Sequence, residues 1–149
     1  VPRRAATVVL PEVLRLPPHA YEHRPNDCAI WALAAITGQD YEAAVAAVAQ
    51  VDPAAGTRGL TYRQIAAAAR RLGIRLRVKR TGNLDEDFGI VGVTFDKSIP
   101  PPREHVAILD GRGGVIDSWM GVTVSHADVY FPPGRAKPDG ILIVVSEGT

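Results

Sequence analysis

The spacing of apolar residues changes once along this chain, near residue 74. Before that point it is helical. An apolar run from Asn26 or Asp27, both good N-caps, to Gly38 predicts a first helix. Ile30, Leu33 and Thr37 share one of its faces, with Trp31 and Ala34 beside them. Asp40 caps a second predicted helix, in which Tyr41, Val45 and Val48 follow i, i+4, i+7 spacing and which Asp52-Pro53 ends. After a loop with Gly56 and Gly59, Thr61 opens a third. Its apolar stripe is Tyr62, Ile65, Ala69 and Leu72, and Gly73 stops it.

Past Gly73 the period falls to two. Ile74, Leu76 and Val78 alternate with Arg75, Arg77 and Lys79, the pattern of a half-buried strand. GIVGVTF (89–95) predicts a second strand. HVAIL (105–109) and GVIDSW (114–119) flank the glycine-rich turn 110–113, which signals a hairpin. ILIVV (141–145) predicts a last, fully buried strand. Helices first and strands afterwards argue for an α+β domain with an antiparallel sheet. This domain spans residues 25–149. Residues 1–24 read as an extended arm, because Pro2, Pro11, Pro17 and Pro18 forbid a long helix; ATVVL (6–10) suits a short edge strand.

Composition narrows the function classes. A chain of 149 residues with 46% hydrophobic content suits one domain with a sizeable core. A net charge of +1 gives no global argument for nucleic acid or a membrane surface. A single cysteine excludes an internal disulfide and a multi-cysteine metal site. No apolar run is long enough for a membrane helix, and the proline-broken N-terminal stretch lacks the apolar centre of a secretory signal. The expected setting is cytoplasmic or associated with a phage or virus.

The single cysteine, Cys28, falls in the first turn of the first predicted helix. A helix N-terminus favours a thiolate, and its unpaired N–H groups can hold an oxyanion. A small buried side chain near a helix start is the plainer explanation of one cysteine. His105 shifts that balance, because it opens an apolar strand, and across the hairpin Asp117 is the one charge in GVIDSW. A three-residue loop at 110–112 would put Asp117 directly opposite His105 on the same face. There a carboxylate would orient the imidazole and stabilise its cation.

At these residues the chain resembles the papain-like cysteine peptidases, most closely the C39-like branch that includes bacteriocin leader peptidases. The resemblance rests on Asp27-Cys28, GLTYRQIAAAARRLGIRLRV (59–78), NLDEDFGIVGVTF (83–95), HVAILDGRGGVIDS (105–118) and GVTVSHADVY (121–130). It covers residues 22–146 as an order of elements. The neighbouring NlpC/P60 peptidases share the Asp-Cys pair and the His-Val strand, but usually carry a second His where Asp117 stands. The resemblance implies a papain-like fold in which Cys28 is the nucleophile, His105 the base and later acid, and Asp117 the orienting residue, with no cofactor. It also implies a protein or peptide substrate cut after a small residue. The chain departs from the family in having Ala29 where the family has Gly. It also has Tyr21, Glu22 and His23 where the oxyanion glutamine is expected. Asn26 or His23, with the Cys28 backbone N–H, would take that role. Trp31 and Trp119 are candidates for the substrate wall. A catalytically inactive peptide-binding module of the same fold is the alternative function class.

Eight Lys/Arg and no Asp/Glu lie between Arg58 and Arg80. Its one aromatic residue, Tyr62, belongs to the apolar stripe of the third helix, so no aromatic interleaving offers base stacking. A solvated face of that helix and its strand, or an acidic partner, fits the strip better than nucleic acid. A basic nucleic-acid-binding domain is a further alternative. His19 and His23 are four apart but lack a third ligand, so no metal site is expected. His126 is expected in a polar surface turn.

Overall fold

The computed structural model describes residues 28–54, 60–79, 82–95, 104–117, 123–126 and 136–145. Among them are three helices, α1 (Cys28–Thr37), α2 (Tyr41–Val51) and α3 (Tyr62–Arg71). They are followed by six strands: β1 (Arg75–Lys79), β2 (Phe88–Phe95), β3 (Glu104–Asp110), β4 (Gly114–Asp117), β5 (Thr123–His126) and β6 (Ala136–Val145). Every pairing is antiparallel, and the strand order is β1-β6-β2-β3-β4-β5. The architecture is α+β, as the order of periodicities predicts. The arm at 1–24 lies outside the described residues.

Local capping accounts for the helix boundaries. The Asp40 carboxylate accepts from the Ala43 N–H at 2.8 Å and starts α2. Thr61 and Gln64 form a reciprocal capping box at the start of α3. The Gln64 amide also donates to buried Asp52 at 3.0 Å. Asp52 closes α2 and takes the Ala54 N–H as well, so one carboxylate ties the end of one helix to the beginning of the next.

α1 departs from the one-faced helix expected. Ala29 to Ile36 are all buried, because α2, α3 and β3 pack around it. A helix apolar on all sides belongs in the middle of a core, and CAIWALAAIT carries no charge to resist this. Full burial of a side chain such as Leu33 or Ile36 contributes about 1.5–3 kcal/mol. In α2 the buried residues are Ala44, Ala47 and Val48, with Tyr41 and Val45 only partly covered.

The sheet has two buried faces. Leu76, Ile90, Ile108, Ile116, Leu142 and Val144 join the helices in one cluster. Val91, Val93, Ala107, Leu109, Val115 and Ile141 form a second cluster with the opposite parity. β6 sits between β1 and β2, where Ile141, Leu142, Val144 and Val145 are buried and Ile143 is partly covered. At its bend Gly140 has φ +89, and a Cβ there would lie 2.7 Å from the Tyr62 ring of α3. The missing side chain therefore lets the helix dock on the strand. β1 is only partly the expected half-buried strand: Leu76 is buried, but Val78 is 56% exposed.

Candidate active site

α1 begins at Cys28, which is half-buried. The amides of its first turn have no acceptor within the helix. α1 packs on β3, whose second residue is His105. The Cys28 thiol lies near enough to the His105 ring to raise its pKa.

His105 is 4% exposed and Asp117 2%. His105 Nε2 lies 2.8 Å from Asp117 Oδ1. Nε2 takes Asp117, and the ring's other nitrogen, Nδ1, is buried. Burial of the ring pushes its pKa down. The hydrogen bond to Asp117, the neighbouring Cys28 side chain and the Asp117 charge together outweigh burial and carry it from 6.5 up to about 9. An imidazolium held by Asp117 is therefore the preferred state of the ring at neutral pH.

The hairpin brings the two residues together differently from the expected register. Leu109 pairs with Val115 and Ile108 with Ile116. Continued one step, this puts Asp117 opposite Ala107, so His105 and Asp117 are diagonal neighbours on one face rather than direct partners. The loop is three residues long, as expected, but consists of Gly111, Arg112 and Gly113, one position later. Asp110 explains the offset. Its Oδ1 accepts from Arg112 N at 2.8 Å and Gly114 N at 2.9 Å, while Gly111 and Gly113 take φ +83 and +86. Parity is preserved, so the same face is kept, and a diagonal gap of about 7–8 Å between backbones is within reach of these side chains. Asp110 is a positioning residue that the motif reading missed; Asp-Gly-x-Gly-Gly was its signal.

His105 faces Val93 across β2–β3. Val93 belongs to the second apolar cluster, so the ion pair sits at the margin of a dry region. Low local dielectric strengthens a paired charge there and penalises an unpaired one.

The other candidates part company. Trp31 is 1% exposed within the core. That makes it a packing residue and not a wall of an open groove, which corrects the substrate-binding expectation. Trp119, Asn26, His23 and His19 lie outside the described residues. His126 ends β5, paired with Gly114, rather than lying in a turn. Among the described residues no group of His, Cys, Asp and Glu is arranged to hold a metal ion. No helix of the described residues is long and apolar enough to cross a membrane.

Comparison with protein-family models, with curated proteins and with solved structures finds no match for this chain.

Proposed function

We propose that this chain is a papain-like cysteine peptidase of the C39-like type, working through Cys28, His105 and Asp117. The observation that carries the reading is the buried His105 ring, held by Asp117 at 2.8 Å on one nitrogen, with the thiol at the start of α1 near enough to raise its pKa. Nucleophile, base and orienting acid then stand in sequence, as acyl transfer requires.

In this mechanism the Cys28 thiolate attacks the carbonyl carbon of the scissile bond. The oxyanion is held by first-turn amides of α1, with Asn26 or His23 as the further donor. His105, as imidazolium, gives its proton to the leaving amine, and a thioester remains on Cys28. Neutral His105 next takes a proton from water, the hydroxide attacks the thioester, and the acid product leaves as the thiolate re-forms. Asp117 keeps the ring oriented throughout. Substrates of this class are peptide or isopeptide bonds, or a peptidoglycan crosslink, cut after glycine or alanine.

A broad thiol-directed peptidyl vinyl sulfone, followed by mass spectrometry, tests the reading together with a peptide library digested in parallel. The expected result is one adduct on Cys28 and cleavage after small residues, both lost in Cys28→Ala. Cleavage that survives Cys28→Ala overturns the reading. Binding of library peptides without cleavage points to the inactive module instead.

A further inference from the structure

The outer edge of β1 is an unusual surface. Among the described residues β1 pairs with β6 alone and is an edge strand of the sheet. Natural edge strands are commonly shielded by charge. Here the charge has one sign. Arg75 and Arg77 are exposed on β1, and Arg63, Arg70 and Arg71 are exposed on α3, the helix packed against that strand. Leu60 to Lys79 contain no acidic residue.

The geometry sorts these cations. Arg71 donates to Gln50 of α2 at 2.7 Å, and Gln64 reaches Asp52, so that flank of α3 is turned to α2. Arg63 and Arg70, seven residues apart, share the solvent face of α3, away from its buried Ile65, Ala68 and Ala69. Arg75 and Arg77 face the other side of the sheet from α3, since they pair with Val145 and Ile143 while Leu76 beneath the helix pairs with Val144. Lys79 is held by Asp87 at 3.0 Å, and exposed Asp85 and Glu86 lie in the turn beside that carboxylate. The positive field is therefore strongest at the Arg75 end. Val78, 56% exposed, interrupts the cations with an apolar side chain.

We infer that the β1 edge docks an extended acidic segment of a partner polypeptide, which adds to the sheet as a further strand. Backbone pairing would supply affinity, and alternate side chains would supply selectivity. Arg75 and Arg77 are two residues apart on one face, so they call for carboxylates at i and i+2 of the added strand. The residue between these carboxylates turns to the face that carries Val78 and is apolar. A second copy of this chain is disfavoured at this edge, because its own β1 brings the same arginines. Nucleic acid is the lesser fit, because no exposed aromatic side chain of the strip offers a stacking face. The inference concerns binding alone and does not depend on the chemistry proposed for Cys28.

The test uses a fluorescently labelled Glu-Val-Glu-Thr-Glu-Val-Glu peptide and the full chain, by anisotropy at low and moderate salt. Controls are the same peptide with a central proline, its lysine counterpart, and a single-stranded oligonucleotide. Binding of the acidic peptide is expected, with hydrogen-exchange protection appearing in residues 75–79. Arg75→Glu/Arg77→Glu should weaken it at least about tenfold, and the milder Arg75→Gln/Arg77→Gln by less. Circular dichroism melts check that both variants remain folded, and Cys28→Ala should bind as the parent does. Equal binding of the proline-interrupted peptide, failure of the acidic peptide to bind at low salt, or tighter binding of the oligonucleotide would each overturn the inference.

Discussion

His105 and Asp117 meet at 2.8 Å from diagonal positions of neighbouring strands, both out of contact with water. Their alignment depends on a hairpin loop that neither residue belongs to. The pair lies on the hairpin β3–β4, and α1, which starts at Cys28, packs on β3.

Replacing Asp117 should separate orientation from stability. Asp117→Asn keeps the shape but removes the charge that holds the imidazolium. We expect turnover to fall by about a hundredfold or more, with Cys28 still open to alkylation. Asp117→Ala leaves a buried imidazolium with one partner fewer and should cost about 3–5 kcal/mol in denaturant unfolding. An Asp117→Asn variant with unchanged kcat would remove Asp117 from the mechanism.

The His105 ring sets a pH window for stability. Its folded pKa of about 9 lies above its ordinary value of 6.5. The protonated ring therefore stabilises the fold fully below about pH 6.5, and this contribution is lost as pH rises through about 9. The amount is on the order of 3 kcal/mol. Melting temperature should fall over that interval in the parent and stay flatter in His105→Gln. NMR titration of the ring gives the pKa directly, and a midpoint near 6.5 would contradict it.

Cys28 should owe its reactivity to the ring. Iodoacetamide modification at pH 6–7, followed by mass spectrometry, is expected to be several-fold slower in His105→Ala than in the parent. Equal, slow rates in both would make Cys28 a structural thiol. For the proposed peptidase, the alkaline limb of kcat/KM should fall near pH 9, where His105 loses the proton that the leaving amine needs.

Asp110 should matter although it touches neither catalytic candidate. Asp110→Ala removes two hydrogen bonds to the loop amides of Arg112 and Gly114. A loss of about 1–3 kcal/mol is expected. If the hairpin register also loosens, the His105 pKa should drop as the ring loses Asp117; Asp110→Asn, which keeps an acceptor oxygen, should restore most of both. An unaltered His105 titration in Asp110→Ala would show that the strands hold the register without the loop.

Much of the molecule was readable before folding because its signals are local. Asp40 and Thr61 cap the helices they precede by hydrogen bonds spanning three residues, so short-range composition is enough to find them. The change from helical to alternating spacing located the sheet, and the Asp-Gly-x-Gly-Gly turn located the hairpin. The chemistry-bearing residue types, one thiol at a helix start with a histidine and an aspartate in successive strands, were also visible.

Tertiary packing decided the remainder, since it depends on partners far along the chain. An apolar run such as ILIVV announces burial but not its neighbours; only the folded sheet inserts β6 between β1 and β2. Trp31 looks the same in a groove wall and in a core, and the packing of α2, α3 and β3 around α1 puts it in the core. Val78 follows the inward alternation of its strand, yet an edge position leaves it in water. The diagonal register of His105 and Asp117 arises from two hydrogen bonds at Asp110 and two left-handed glycines, a choice between loops of equal length that hydrophobic periodicity cannot make. Periodicity carries the face a residue takes, because that depends on its immediate neighbours. Which side chain it meets there depends on strand pairing, and that is settled only when the whole sheet closes on its helices.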